Sequence, residues 1–74
     1  MQTYKNLSGD SGVVAYEVGA DFIAVKFRSG VPYRYTYKGV GRDNVDEMKE
    51  LAQAGRGLST FINQHPEVKR GYER

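Results

Sequence analysis

The sequence predicts an α+β fold, a three-stranded antiparallel β-meander followed by two short helices packed on one face (β-β-β-α-α). Apolar residues alternate with period two through three stretches between Val13 and Thr36, joined by glycine-containing turns. The period then turns helical over Val45, Met48, Leu51 and Ala52, and again over Leu58, Phe61, Ile62 and His65. With 74 residues, 39% of them hydrophobic, the chain has apolar material for one small core and not for two. Residues 1–74 therefore read as a single domain, folded over about 8–66, with a polar C-terminal end at 67–74.

In the first strand Val14, Tyr16 and Val18 share a side, in the second Ile23, Val25 and Phe27, and in the third Val31, Tyr33 and Tyr35. Parity sets the register. A two-residue Gly19-Ala20 loop in a type II′ turn places Tyr16 across from Ile23 and Val14 across from Val25. The second loop must be odd to keep the faces consistent, and Arg28-Ser29-Gly30 with Gly30 left-handed does this. Phe27 then faces Val31, Val25 faces Tyr33 and Ile23 faces Tyr35. Pro32 lies on the other face and confines its strand to an edge or a non-bonded position. That face reads Val13, Ala15, Glu17, Phe22, Ala24, Lys26, Pro32, Arg34 and Thr36, half apolar and half cationic, which makes it a candidate contact surface.

Asn44 followed by Glu47 fits a capping box for the first helix, with Asp43 as an alternative cap. Acids crowd its first turn, as the helix dipole favours. Gly55 stands where a left-handed stop belongs. Arg56-Gly57 links to the second helix, which Pro66 terminates.

Charge is segregated. From Phe22 to Arg42 there are five cations (Lys26, Arg28, Arg34, Lys38, Arg42) and no acid. An acidic strip follows, with Asp43, Asp46, Glu47 and Glu50 against Lys49. There is no Cys, hence no disulfide scaffold, no Cys-ligated zinc and no thiol nucleophile, and there is one His. No apolar run approaches the roughly 20 residues that span a bilayer, and Met1 to Lys5 does not read as a signal peptide, so a cytoplasmic setting is expected. Below about 70–80 residues a single core leaves little stability, and without Cys the common remaining staple is self-association. A homo-oligomer is expected.

The run Ser29-Gly30-Val31-Pro32-Tyr33-Arg34-Tyr35 resembles the G-x-x-Y-x-Y hairpin of the KTSC domain. Met48-Lys49-x-Leu51-Ala52-x-Ala54-Gly55-x-Gly57-Leu58-x-x-Phe61-Ile62 resembles the helical half of the same family, l-x-x-A-x-S-x-G-x-y-f-n-x-x-I. The resemblance covers about residues 11–72. Two departures stand out: Val40-Gly41 where the family often has Val-Pro, and Arg56 where it has Ser. The family takes its name from a copy at the C-terminus of some lysyl-tRNA synthetases, and small stand-alone members occur in bacteria and their phages. The resemblance implies a binding module near nucleotide or nucleic-acid chemistry and implies no reaction.

Catalysis has little to work with. His65, the one imidazole, lies on an apolar helical stripe and reads as a packed or carbonyl-bonded helix-end residue. The pairs Asp43/Glu47 and Asp46/Glu50 read as a solvated helix start, so a hydrolase built on Asp43, Glu47 and His65 is the weakest reading. No metal-ligand spacing and no cofactor motif is visible. Anion binding is better supported. Backbone N–H groups at a helix N-terminus flanked by Gly and Arg attract phosphate. Acids guard the first helix, whereas the second opens Leu58-Ser59-Thr60 without one, which favours Arg56, Gly57, Ser59 and Thr60. Arg34, Tyr37, Lys38 and Arg42, in or near the sheet's basic end, complete the candidate ligand set. Parity turns Tyr33 and Tyr35 toward the helices as core, with their hydroxyls at the rim. The expected function is a non-catalytic binding module for a phosphate-bearing ligand, a nucleotide or single-stranded nucleic acid. A phage or mobile-element protein that sequesters a nucleotide signal is one version of it. The alternative is a protein-interaction adaptor using the half-apolar outer sheet face.

Overall fold

The computed structural model describes residues 1–7, 9 and 12–73. In chain order the elements are β1 (Gln2–Thr3), β2 (Val13–Val18), β3 (Phe22–Phe27), β4 (Pro32–Thr36), α1 (Tyr37–Val40), α2 (Arg42–Ala54), α3 (Leu58–Gln64) and α4 (Pro66–Arg70). The four strands form one antiparallel sheet in the order β1-β2-β3-β4. The fold is therefore α+β with an antiparallel sheet, but among the described residues there are four strands and four helices in place of three and two. The added strand, two residues long, is too short to show a periodicity. Ser8, where the folded part was expected to begin, and Arg74 lie outside the described residues.

Alternation builds the core on one face. Tyr16, Ile23, Val25 and Tyr35 meet Val45, Met48 and Ala52 of α2, Leu58 and Ile62 of α3, and Val68 of α4 in a single buried cluster. The β3–β4 register agrees with parity: Ile23 pairs with Tyr35 and Val25 with Tyr33. Its turn closes through Gly30, whose N–H donates to Phe27 O at 2.9 Å with φ at +89°.

The first hairpin differs. Val18 pairs with Ile23 and Tyr16 with Val25, two residues out of the expected register but with the same faces inward. Gly19 belongs to the strand end, donating to Phe22 O at 2.9 Å, so the loop is Ala20-Asp21. Gly19 is there for space: a Cβ would sit 1.9 Å from the Phe22 ring. A bulge between Val13 and Ala15 then reverses the parity of the strand's start. Val13 turns into the core, 1% exposed, and Val14 turns out, 38% exposed, while its carbonyl accepts from Tyr4 N–H at 3.0 Å. Val14 and Val18, expected inside, are both exposed.

At α1 the cap is Thr36, whose hydroxyl accepts the Gly39 N–H at 2.9 Å. Gly41, at φ +96°, breaks the helix and serves as N-cap of α2. Asn44 is thus not a cap. It lies inside α2 and donates to Val40 O at 2.7 Å. Gly55 ends α2 in the left-handed conformation, as expected.

α3 ends just before Pro66, as expected, but a further helix follows. Pro66 takes the first position of α4, where its missing N–H has no partner to lose. The expected polar end is folded: Val68 is fully buried, and Glu73 pairs with Arg34 on the free edge of β4 through N–H to O bonds of 2.6 and 2.7 Å. Glycine permits this return. A Cβ on Gly71 would lie 2.5 Å from Val40 Cγ1 and 2.8 Å from Glu67 O.

The bulge yields a direct test. Val13→Ala is expected to cost about 2 kcal/mol of stability in urea unfolding, whereas Val14→Ala should stay within about 0.5 kcal/mol. The unbulged parity predicts the reverse order.

Candidate functional site

Where the β3–β4 hairpin meets the end of the helical layer, the two layers stop short of closing. The opening is a cavity of about 350 Å³, a size typical of small ligand sites. Phe27, Tyr33 and Tyr35 supply one wall from the inner sheet face, and Ser29 stands in the turn above them. Ile62 and Asn63 come from α3, Lys69 from α4, and Tyr72 from the segment beyond it. Among the described residues, one cation and no carboxylate line the cavity.

The aromatic wall is mutually packed. Tyr33 and Tyr72 ring centroids lie 4.4 Å apart at 43°, Phe27 and Tyr33 5.4 Å apart at 50°, and Tyr35 and Tyr72 6.4 Å apart edge-on. Tyr35 is 2% exposed. Burial, reinforced by the neighbouring Tyr33 and Tyr72 phenols, pushes its hydroxyl up to about 12, so at neutral pH it is an uncharged donor beside the cavity. α4 can present Lys69 here because the chain turns at His65, whose φ of −122° and ψ of 88° interrupt the helix. The His65 ring stacks on Phe61 at 4.0 Å and its Nδ1–H donates to Phe61 O at 2.7 Å.

None of the eight residues singled out from the sequence lines this cavity, and they fall into separate places. Tyr37 and Arg42 belong to a compact polar cluster. The Tyr37 hydroxyl donates to Asp46 Oδ1 at 2.7 Å and accepts from Lys49 Nζ at 3.3 Å. Arg42 lies 5.7 Å over the Tyr37 ring and its Nε sits 3.7 Å from Asp46 Oδ2. Lys49 is 5.0 Å above the same ring and also donates to Ala20 O at 3.3 Å. This arrangement ties α1, α2 and the first hairpin together, with its charges answered inside the chain. Lys38 is exposed on α1. Arg34 lies on the outer sheet face, its guanidinium 5.1 Å over the Phe22 ring.

Arg56, Gly57, Ser59 and Thr60 surround the start of α3, with Gly57 as a left-handed cap at φ +82°. The N-terminal segment closes one flank of that corner. Leu7 N–H donates to Gly55 O at 2.7 Å, and a Cβ on Gly55 would meet Lys5 Cβ at 2.6 Å. The Tyr4 hydroxyl reaches the Leu58 N–H at 3.4 Å. Arg56 and Thr60 remain exposed.

Tyr33 and Tyr35 were legible as an inward stripe, and their place beside a cavity was not. Lys69 and Tyr72 were missed because 67–74 read as a polar end, and Asn63 because it lies off the apolar stripe of its helix. The signal available was Val68 and Tyr72, apolar at i and i+4. Among the described residues no group of three His, Cys, Asp or Glu is placed to hold a metal ion, and no helix is long and apolar enough to cross a membrane.

Comparison of the chain with models of known protein families, with curated proteins and with solved structures finds no match.

The buried phenol produces a pH test. An unfolded Tyr ionises near pH 10 and Tyr35 holds its proton to about 12. Between those values the folded state keeps a proton that the unfolded chain has lost, so stability falls as pH rises through the window and is unaffected below it. Urea midpoints measured up this range are expected to drop less in Tyr35→Phe, and phenolate absorbance should lose its last-titrating step.

Proposed function

We propose that this chain is a non-catalytic, KTSC-like binding module for a phosphate-bearing ligand, with the aromatic cavity taking the planar part of a nucleotide. The observation that carries the reading is the lining itself: Phe27, Tyr33, Tyr35 and Tyr72 offer stacking surface, while Lys69 is the one charge among the described lining residues. Base–aromatic stacking contributes about 1–3 kcal/mol per base. The Tyr35 hydroxyl, Ser29 and Asn63 supply hydrogen-bonding groups for a base edge, and Lys69 supplies the counter-charge for a phosphate. A carboxylate in the same wall would oppose that phosphate, and among the described residues none lines it.

The small size, the absence of a catalytic constellation in the sequence and the hairpin and helix motifs support a module that holds its ligand without transforming it. In one version of this reading the module serves a phage or mobile element by sequestering a nucleotide signal. The cavity favours a single nucleotide over a polynucleotide, since Arg34 on β4, Arg42 on α2 and Arg56 in the α2–α3 link are dispersed and none of them lines the cavity.

Thermal shift against mono-, di- and cyclic nucleotides and a short RNA tests this. A cognate nucleotide at a hundredfold excess over its Kd is expected to stabilise the fold by about 3 kcal/mol. Polynucleotide affinity would instead fall steeply with salt. Lys69→Ala, at an exposed position, should weaken the nucleotide by roughly tenfold or more. Arg56→Ala should leave it unchanged; loss of binding there would move the phosphate to the start of α3. A chain that no nucleotide or RNA stabilises would refute the reading.

A further inference from the structure

On the sheet face turned away from the helices, the register aligns Glu17, Ala24 and Arg34 in one row across β2, β3 and β4. Glu17 and Arg34 are exposed. Around them lies apolar surface. A shallow groove of about 170 Å³ is lined in part by Met1, Phe22, Ala24 and Pro32, together with Glu17 and Arg34 themselves. Across β2, β3 and β4 the row is antisymmetric in charge, with a carboxylate one strand to one side of Ala24 and a guanidinium one strand to the other, each roughly 4.8 Å away along the sheet; beyond Arg34 the row continues to Glu73, which also lines the groove.

We propose that this face binds a second copy of the same chain, in a two-fold dimer whose axis runs along β3 over Ala24. Rotation about that axis exchanges β2 with β4. Glu17 of each copy then faces Arg34 of the other, Ala24 faces Ala24, and Ala15 faces Pro32. An axis across the strands through the same row would set Arg34 on Arg34 and Glu17 on Glu17, so the charges select the first geometry. Copies related this way keep their strands aligned, which is how two sheets pack face to face at about 10 Å. That gap is short enough for Glu and Arg to bridge, and the Phe22 rings and Pro32 occupy the space beside the small Ala24 residues. Lys26, also on β3, meets its own counterpart across the axis; its long stem lets the ammonium turn out to the rim. The interface is self-complementary, as a two-fold dimer requires. It also supplies burial that a chain of this size, without disulfides, lacks in its own core. The inference is independent of the nucleotide reading, which concerns the opposite face.

Sedimentation velocity on the full chain at tens of micromolar is expected to show a dimer. Glu17→Arg and Arg34→Glu, both at exposed positions, should each raise the dimer dissociation constant by roughly 100-fold or more, and the double variant should restore it. Far-UV circular dichroism checks that each variant is folded. If a charge reversal disturbs the spectrum, Glu17→Gln makes the same comparison with a roughly tenfold effect. A monomeric wild type, single variants with the wild-type constant, or a double variant as weak as the singles would each overturn the proposal.

Discussion

The structure depends on β3 being paired on both sides while its inner residues are completely enclosed. Ile23 and Val25 have no exposed surface, and each is flanked by a residue of β2 and one of β4. Backbone hydrogen bonding on both sides and full apolar burial coincide at these two residues. Because side chains alternate strictly, any slip of one residue would turn Ile23 and Val25 to the solvent. The helices have no comparable internal constraint. α1, α3 and α4 have four, seven and five residues, too short to be stable alone, so they hold because Val40, Leu58, Ile62 and Val68 pack on that face.

The C-terminal segment is what converts this layered core into a site. It comes back past α1, where Gly39 and Gly71 let two backbones approach to contact distance, and pairs Glu73 with Arg34 on the edge of β4. The same return covers an otherwise open sheet edge. It also lays Tyr72 against Tyr33 and Tyr35 and, with α4, stands Lys69 at the cavity rim. One stretch of chain thus closes the edge and contributes Lys69 and Tyr72 to the cavity wall. Stability and binding are coupled there: a change that loosens the tail opens the site as well.

The cations are distributed by role. Arg42 and Lys49 surround a Tyr37–Asp46 hydrogen bond and fasten helix to hairpin. Arg34 lies over Phe22 on the outer face. A basic stretch that reads as one feature along the chain is therefore divided among a structural cluster, a sheet face and exposed positions. Adjacency in sequence says little about adjacency in space once strands and helices alternate their faces.

Local rules carried the sequence a long way. Period two, the odd loop at Arg28-Ser29-Gly30 and the left-handed stop at Gly55 determined the fold class, the β3–β4 register and the end of α2, because each rests on steric preferences of neighbouring residues. Tertiary packing decided what those preferences leave open. It chose Val13 over Val14 for the core, since a bulge costs little locally and is selected by what it buries. It also folded residues 66–73, because Val68 and Tyr72 pack into a core drawn from the whole length of the chain. The cavity belongs to the second category, since its walls come from residues more than 40 positions apart and exist only once both layers are assembled.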